Sequence, residues 1–144
     1  YGDLVYINEA NEITRHWKSG GYRSGQFNPE GFLNGWMPPH PTFFLRKSAY
    51  QEHGLFNVRL RSAADYELML RMLFKHRVST VHLPEVLVHM RTGGVSNATW
   101  SNRFRANRED RMAWRLNGLS PRPWTLIAEP LRKISQWWSN GENV

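Results

Sequence analysis

A histidine stands among prolines in Met37-Pro38-Pro39-His40-Pro41-Thr42-Phe43-Phe44. Prolines at three of the four positions 38–41 fix φ and remove backbone donors, so His40 is held at a loop-to-strand junction where a rigid side chain can orient a reacting group. A structural turn whose histidine caps a carbonyl accounts for the same residues. A carboxylate opens the strongest helical pattern of the chain, in Ala63-Ala64-Asp65-Tyr66-Glu67. At or near the N-cap, Asp65 can accept helix amides and gain from the macrodipole. Facing a cleft, the same carboxylate can instead take a proton from an incoming hydroxyl. The third cluster is Met90-Arg91-Thr92-Gly93-Gly94-Val95-Ser96-Asn97. Two glycines let backbone amides approach a phosphate, a helix start adds partial positive charge, and Arg91 can pair with two oxygens. A Gly-Gly turn with Ser96 as an ordinary N-cap is the simpler alternative.

Other chemistries find little support. The six histidines show no HExxH and no close helical pair, and no GxSxG, P-loop or GxGxxG occurs. With no cysteine among 144 residues, a disulfide framework, a thiolate zinc site and a cysteine nucleophile are excluded. A net charge of +7 favours anionic partners without choosing among nucleic acid, acidic lipid and phosphate-bearing small molecules. A start at Tyr1, on a strand-like segment, suggests a piece of something longer.

Several elements must position these residues. Alternation in YGDLVYIN and again over 12–17 predicts a hairpin turning at 9–11. Residues 18–39 read as a loop carrying one short helix near 29–34. The run 41–46 (PTFFLR) reads as a buried strand, followed by a short helix capped by Ser48 and stopped by Gly54. Leu68, Leu70, Met72, Leu73 and Phe74, among Glu67, Arg71 and Lys75, predict a helix over 64–77. Residues 78–83 and 86–90 read as two strands separated by Pro84. An arginine-rich amphipathic helix is expected over 97–116, with Trp100, Phe104, Met112 and Leu116 as its apolar face. A second helix is expected over 124–138.

The clusters YGD, PPHPTFFLRKSAYQEHGLFN, AADYELMLRM and MRTGGVSN, in this order and spacing, resemble the C-terminal half of family 2 glycosyltransferases, the nucleotide-sugar-dependent enzymes of GT-A fold. The likeness covers about two-thirds of the chain, to Asn97. It implies an α/β fold: a partial GT-A-type domain, with a mixed sheet, flanking helices and a helical C-terminal extension, divided as 1–97 and 98–144. The implied function is inverting transfer of a sugar from a nucleotide-sugar donor to a hydroxyl acceptor, in polysaccharide or glycolipid synthesis. Asp65 then takes the place of the general base, His40, Pro39, Thr42 and Tyr66 line the acceptor side, and Arg91, Gly93, Gly94 and Ser96 bind the diphosphate. Two positions depart from the family pattern: Ala64 stands where Glu is frequent, and Arg91 stands where many relatives have histidine.

A divalent metal, Mn²⁺ or Mg²⁺, is expected only with an upstream nucleotide-binding half, and no residue here is assigned to it. Without that half the chain is expected neither to bind a nucleotide sugar tightly nor to turn over. The implied location is cytoplasmic. Trp124, Trp137 and Trp138 beside Arg132 and Lys133 suit either peripheral contact at the inner face of the membrane or packing on the absent half. The competing readings are a basic nucleic-acid-binding module, disfavoured because Glu109 and Asp110 interrupt the arginines of 103–115, and a non-catalytic interaction module.

Overall fold

A computed structural model describes residues 1–19, 27–91 and 100–125. Among them a mixed three-stranded sheet has the order β2–β1–β3: β1 (Gly2–Ile7) lies antiparallel to β2 (Ile13–Trp17) and parallel to β3 (Leu83–Arg91). Successive strand residues point to opposite faces, and Leu4 and Val5 are both fully buried, so the sheet is covered on both sides at its centre. The predicted hairpin forms. Asn8 closes its turn, with Oδ1 accepting from the Glu12 amide at 2.9 Å and Nδ2 donating to Glu12 Oε2 at 2.8 Å. Gly2 is required by proximity, because a Cβ there would lie 2.5 Å from the Leu87 side chain on β3.

Two strand expectations are corrected. Residues 41–46 are not in the sheet: His40–Thr42 form a 3₁₀ turn, the following residues run outside the ladder, and Phe44 is exposed. The prolines that fix His40 also leave this segment short of ladder donors. Thr42 then bonds the sheet through its side chain, its hydroxyl lying 2.7 Å from Gly2 O and 3.0 Å from Pro39 O. Nor does Pro84 divide two strands. It sits inside β3, on an outer strand, where the register against β1 shifts between Gly2 and Leu4 and takes up the missing donor, while residues 78–82 stay outside the ladder.

The short helix near 29–34 is a 3₁₀ turn, Pro29–Asn34, capped by Asn28 Oδ1 on the Glu30 amide. Helix α1 (Lys47–His53) starts two residues earlier than a Ser48 cap implies, with Arg46 at the N-cap and no side-chain cap bond. Helix α2 (Ala64–Met69) continues through a π-helical segment, Leu70–Lys75, and the two cover all but the last two residues of the helix expected over 64–77. Leu68, Met69, Leu70, Met72 and Leu73 are all fully or nearly fully buried, leaving no apolar stripe with a solvated back.

Glu67 is buried with that core, Arg71 is partly buried beside it, and both are hydrogen-bonded. Glu67 Oε1 takes Arg71 Nε at 2.9 Å and Asn117 Nδ2 at 2.9 Å, and Oε2 takes Arg71 Nη2 at 3.2 Å. The Arg71 guanidinium also donates to the carbonyls of His53, Gly54 (3.0 Å) and Leu55 (2.7 Å).

Helix α3 (Trp100–Leu116) belongs to the same core through Ala113 and Trp114, both fully buried. Of its expected apolar face, Met112 and Leu116 are half-exposed, and the side chains of Trp100 and Phe104 lie outside the described ones. Residues 109, 113 and 117 fall at i, i+4 and i+8, and the polar ends of that row, Glu109 and Asn117, bond α2 or the residues before it. Of the helix expected over 124–138, all beyond Thr125 lies outside the described residues. Glu67→Ala removes the carboxylate paired with Arg71 and leaves the buried Asn117 amide one acceptor short, and is expected to cost about 3 kcal/mol. The midpoint of urea unfolding measures it.

Candidate functional site

Asp65 is the second residue of α2, whose N-cap is Ala63, a residue with no capping side chain. A carboxylate from α3 binds just ahead of it. Glu109 Oε2 accepts from the Ser62 amide at 2.7 Å, the Ser62 hydroxyl at 2.8 Å and the Ala63 amide at 3.1 Å. Glu109 thus holds the amides of the N-cap residue and of the residue before it, while Asp65 keeps a first-turn amide of its own helix and one further contact. Its Oδ1 accepts from the Tyr66 amide at 2.8 Å, and its Oδ2 lies 3.2 Å from His40 Nδ1.

The sequence candidates His40 and Asp65, 25 positions apart, therefore meet as a pair. His40 is brought there by the 3₁₀ turn that Thr42 ties to β1, and Asp65 by the start of α2. Both are accessible, with side chains 51% and 37% exposed respectively. With Nδ1–H donating to the carboxylate, Nε2 is the ring nitrogen left facing outward.

The other candidates divide. Pro39 and Thr42 are buried beneath His40, and the Thr42 hydroxyl is engaged with backbone carbonyls, so they form the floor under the pair rather than its surface. Tyr66 is a core residue whose hydroxyl accepts from Trp114 Nε1 at 2.8 Å, joining α2 to α3. Arg91 is not brought to the pair. In β3 it lies opposite Ile7, whereas the His40 turn sits against Gly2, a separation of about 16 Å along the strand. Its guanidinium donates to Asn11 Oδ1 at 2.9 Å across the hairpin turn. Gly93, Gly94 and Ser96 lie outside the described residues.

Sequence reasoning missed a second polar cluster under the sheet. Asp3 Oδ1 accepts from the Ser19 amide at 2.7 Å and from His82 Nε2 at 2.9 Å, and the Tyr1 ring stacks on His82 at 5.1 Å. Burial, and then the Asp3 charge, push the Tyr1 phenol above its ordinary value. His82 borders a cavity of about 490 Å³, also lined by Phe27, Leu73, Arg77 and Thr80, which neither His40 nor Asp65 reaches. His53 and His76 form another contact, stacked at 4.1 Å. Desolvation, His53, Lys75 and Arg71 hold His76 below its ordinary value against the opposing pull of Glu52. Among the described residues no three His, Asp or Glu side chains come together to hold a metal ion, so the metal that the resemblance implies has no fitted site there.

Comparison of the chain with family models, with curated proteins and with solved structures found no match.

Burial raises the Glu109 pKa, but the Ser62 amide and hydroxyl and the Ala63 and Arg61 amides outweigh it and hold the carboxyl below 4.5, its ordinary value. A depressed carboxyl adds stability above its unfolded pKa that is lost as pH falls through the folded one. Glu109→Gln is therefore expected to cost about 1 kcal/mol at neutral pH. It is also expected to flatten the acid limb of a stability–pH curve measured by urea unfolding.

Proposed function

We propose that this chain forms the acceptor side of an inverting glycosyltransferase site of GT-A kind, in which Asp65 is the general base. The observation that supports the reading is the His40–Asp65 contact at 3.2 Å on an accessible surface. The resemblance of PPHPTFF, GLFN and ADYELMLR to family 2 glycosyltransferases supports it from the sequence side.

In the reaction, the acceptor hydroxyl gives its proton to the Asp65 carboxylate as its oxygen attacks the anomeric carbon. The bond from that carbon to the nucleoside diphosphate breaks, and the diphosphate leaves with the electron pair. A base for this step must sit within hydrogen-bond reach of the hydroxyl in a fixed orientation. The Tyr66 amide fixes one carboxylate oxygen and His40 the other, while the remaining lone pairs stay open to the acceptor. His40 acts as a positioning residue for the carboxylate, and Nε2 offers the acceptor a second contact. The bound divalent metal of such enzymes supplies charge neutralisation at the departing diphosphate, and no residue described here is assigned to it.

The test joins this chain to the nucleotide-sugar-binding half that the reading requires, and follows transfer from UDP- and GDP-sugars to hydroxyl acceptors. Asp65→Asn is expected to lower kcat by about 10²- to 10⁴-fold with little change in thermal stability. Retention of full turnover by the folded variant removes Asp65 from the chemistry.

A further inference from the structure

Beyond α1 the chain makes an apolar protrusion that the core does not use. Leu55 is 74% exposed, Phe56 49% and Val58 89%, three large apolar side chains within four positions. Isolated surface leucines are ordinary, but a clustered triplet on one loop marks a contact surface.

The loop is held in shape. Its entry is fixed by Arg71, whose guanidinium binds the carbonyls of His53, Gly54 and Leu55. Gly54 turns there at φ 89°, and a Cβ at that position would lie 3.2 Å from Arg71 Nη1. Its exit is fixed by Asn57, whose Oδ1 takes the Arg59 amide at 3.1 Å and whose carbonyl takes the amide of buried Leu60 at 3.1 Å. Phe56 leans toward Tyr50 of α1, with ring centroids 6.3 Å apart. The tip thus presents its apolar groups without further ordering, which lowers the entropic cost of seating them.

Charge selects the partner. Arg59 and Arg61 are exposed on the loop itself, and Arg46 and Lys47 are exposed at the other end of α1. A seven-residue helix is about 10 Å long, so all four cations lie within about a Debye length of the tip. Across 44–61 the only acidic residue is Glu52. An apolar wedge ringed by Arg and Lys matches an interface in which acyl chains lie beneath anionic headgroups.

We propose that loop 54–61, with the cations at the start of α1, is a docking element that inserts Leu55, Phe56 and Val58 into an anionic membrane surface. The proposal is independent of the reading of Asp65. It also differs from a membrane role for the C-terminal tryptophans, which lie largely outside the described residues.

The test is co-sedimentation of the full chain with vesicles of phosphatidylcholine alone and of phosphatidylcholine with about a third phosphatidylglycerol. Binding to the anionic vesicles, lost on adding salt and weak on neutral ones, is expected. Val58→Asp and the pair Leu55→Ser/Phe56→Ser should each weaken it at least about tenfold, and Arg59→Gln/Arg61→Gln by a similar factor. These side chains are largely exposed, and circular dichroism melts confirm that the variants fold. No binding, or binding that these variants leave unchanged, overturns the proposal. So does a size-exclusion shift showing that Val58→Asp instead breaks a self-associated form.

Discussion

Glu67 is a carboxylate inside the core, and the arrangement of the molecule follows from how it is satisfied. Unpaired, a buried charge of this kind costs several kcal/mol, so its partners are obligatory rather than decorative. Arg71, one turn along the helix, takes both carboxylate oxygens, and Asn117 reaches in from the end of α3. Arg71 in turn spends its remaining donors on three carbonyls after α1. One ion pair thereby locks α1, α2 and α3 together, and both surfaces discussed above depend on it: the start of α2, which presents Asp65, and the loop that leaves α1.

Helix α3 works as a clasp on α2 from the other side. Trp114 fills the core and donates to the Tyr66 hydroxyl, while Glu109 binds the Ser62 and Ala63 amides just ahead of α2. Asp65 serves the helix start as well, one oxygen accepting the Tyr66 amide. Its other oxygen is directed at His40. The described part of 98–144 packs into the same core as 1–97 through Ala113 and Trp114.

Legibility in the sequence followed how local each interaction is. The hairpin of β1 and β2, the turn at 29–34 and the helix over 64–77 were readable because periodicity and turn chemistry decide them. The run 41–46 misled because apolar composition cannot reveal that prolines on one side and a threonine hydroxyl on the other withdraw a segment from the ladder. Pro84 misled for the reverse reason, since an outer strand with a register shift tolerates a proline that an inner strand would not. The buried face of α3 escaped notice because Glu109 and Asn117 look solvated until the partners that satisfy them, 47 and 50 residues away in sequence, are known. His40 and Asp65 were each legible as candidates. Their contact was not, because it is made by Thr42 anchoring one to the sheet and by the start of α2 placing the other.

The reading of the site rests on the Nδ1–H of His40 pointing at the Asp65 carboxylate, and on that carboxylate remaining open to a second partner. The imidazole ¹⁵N shifts of His40, recorded on the full chain, report this directly. The account predicts a protonated Nδ1 and a bare Nε2, reverting toward the Nε2–H form of an unrestrained histidine in Asp65→Ala. A His40 that shows the Nε2–H form in both proteins contradicts it.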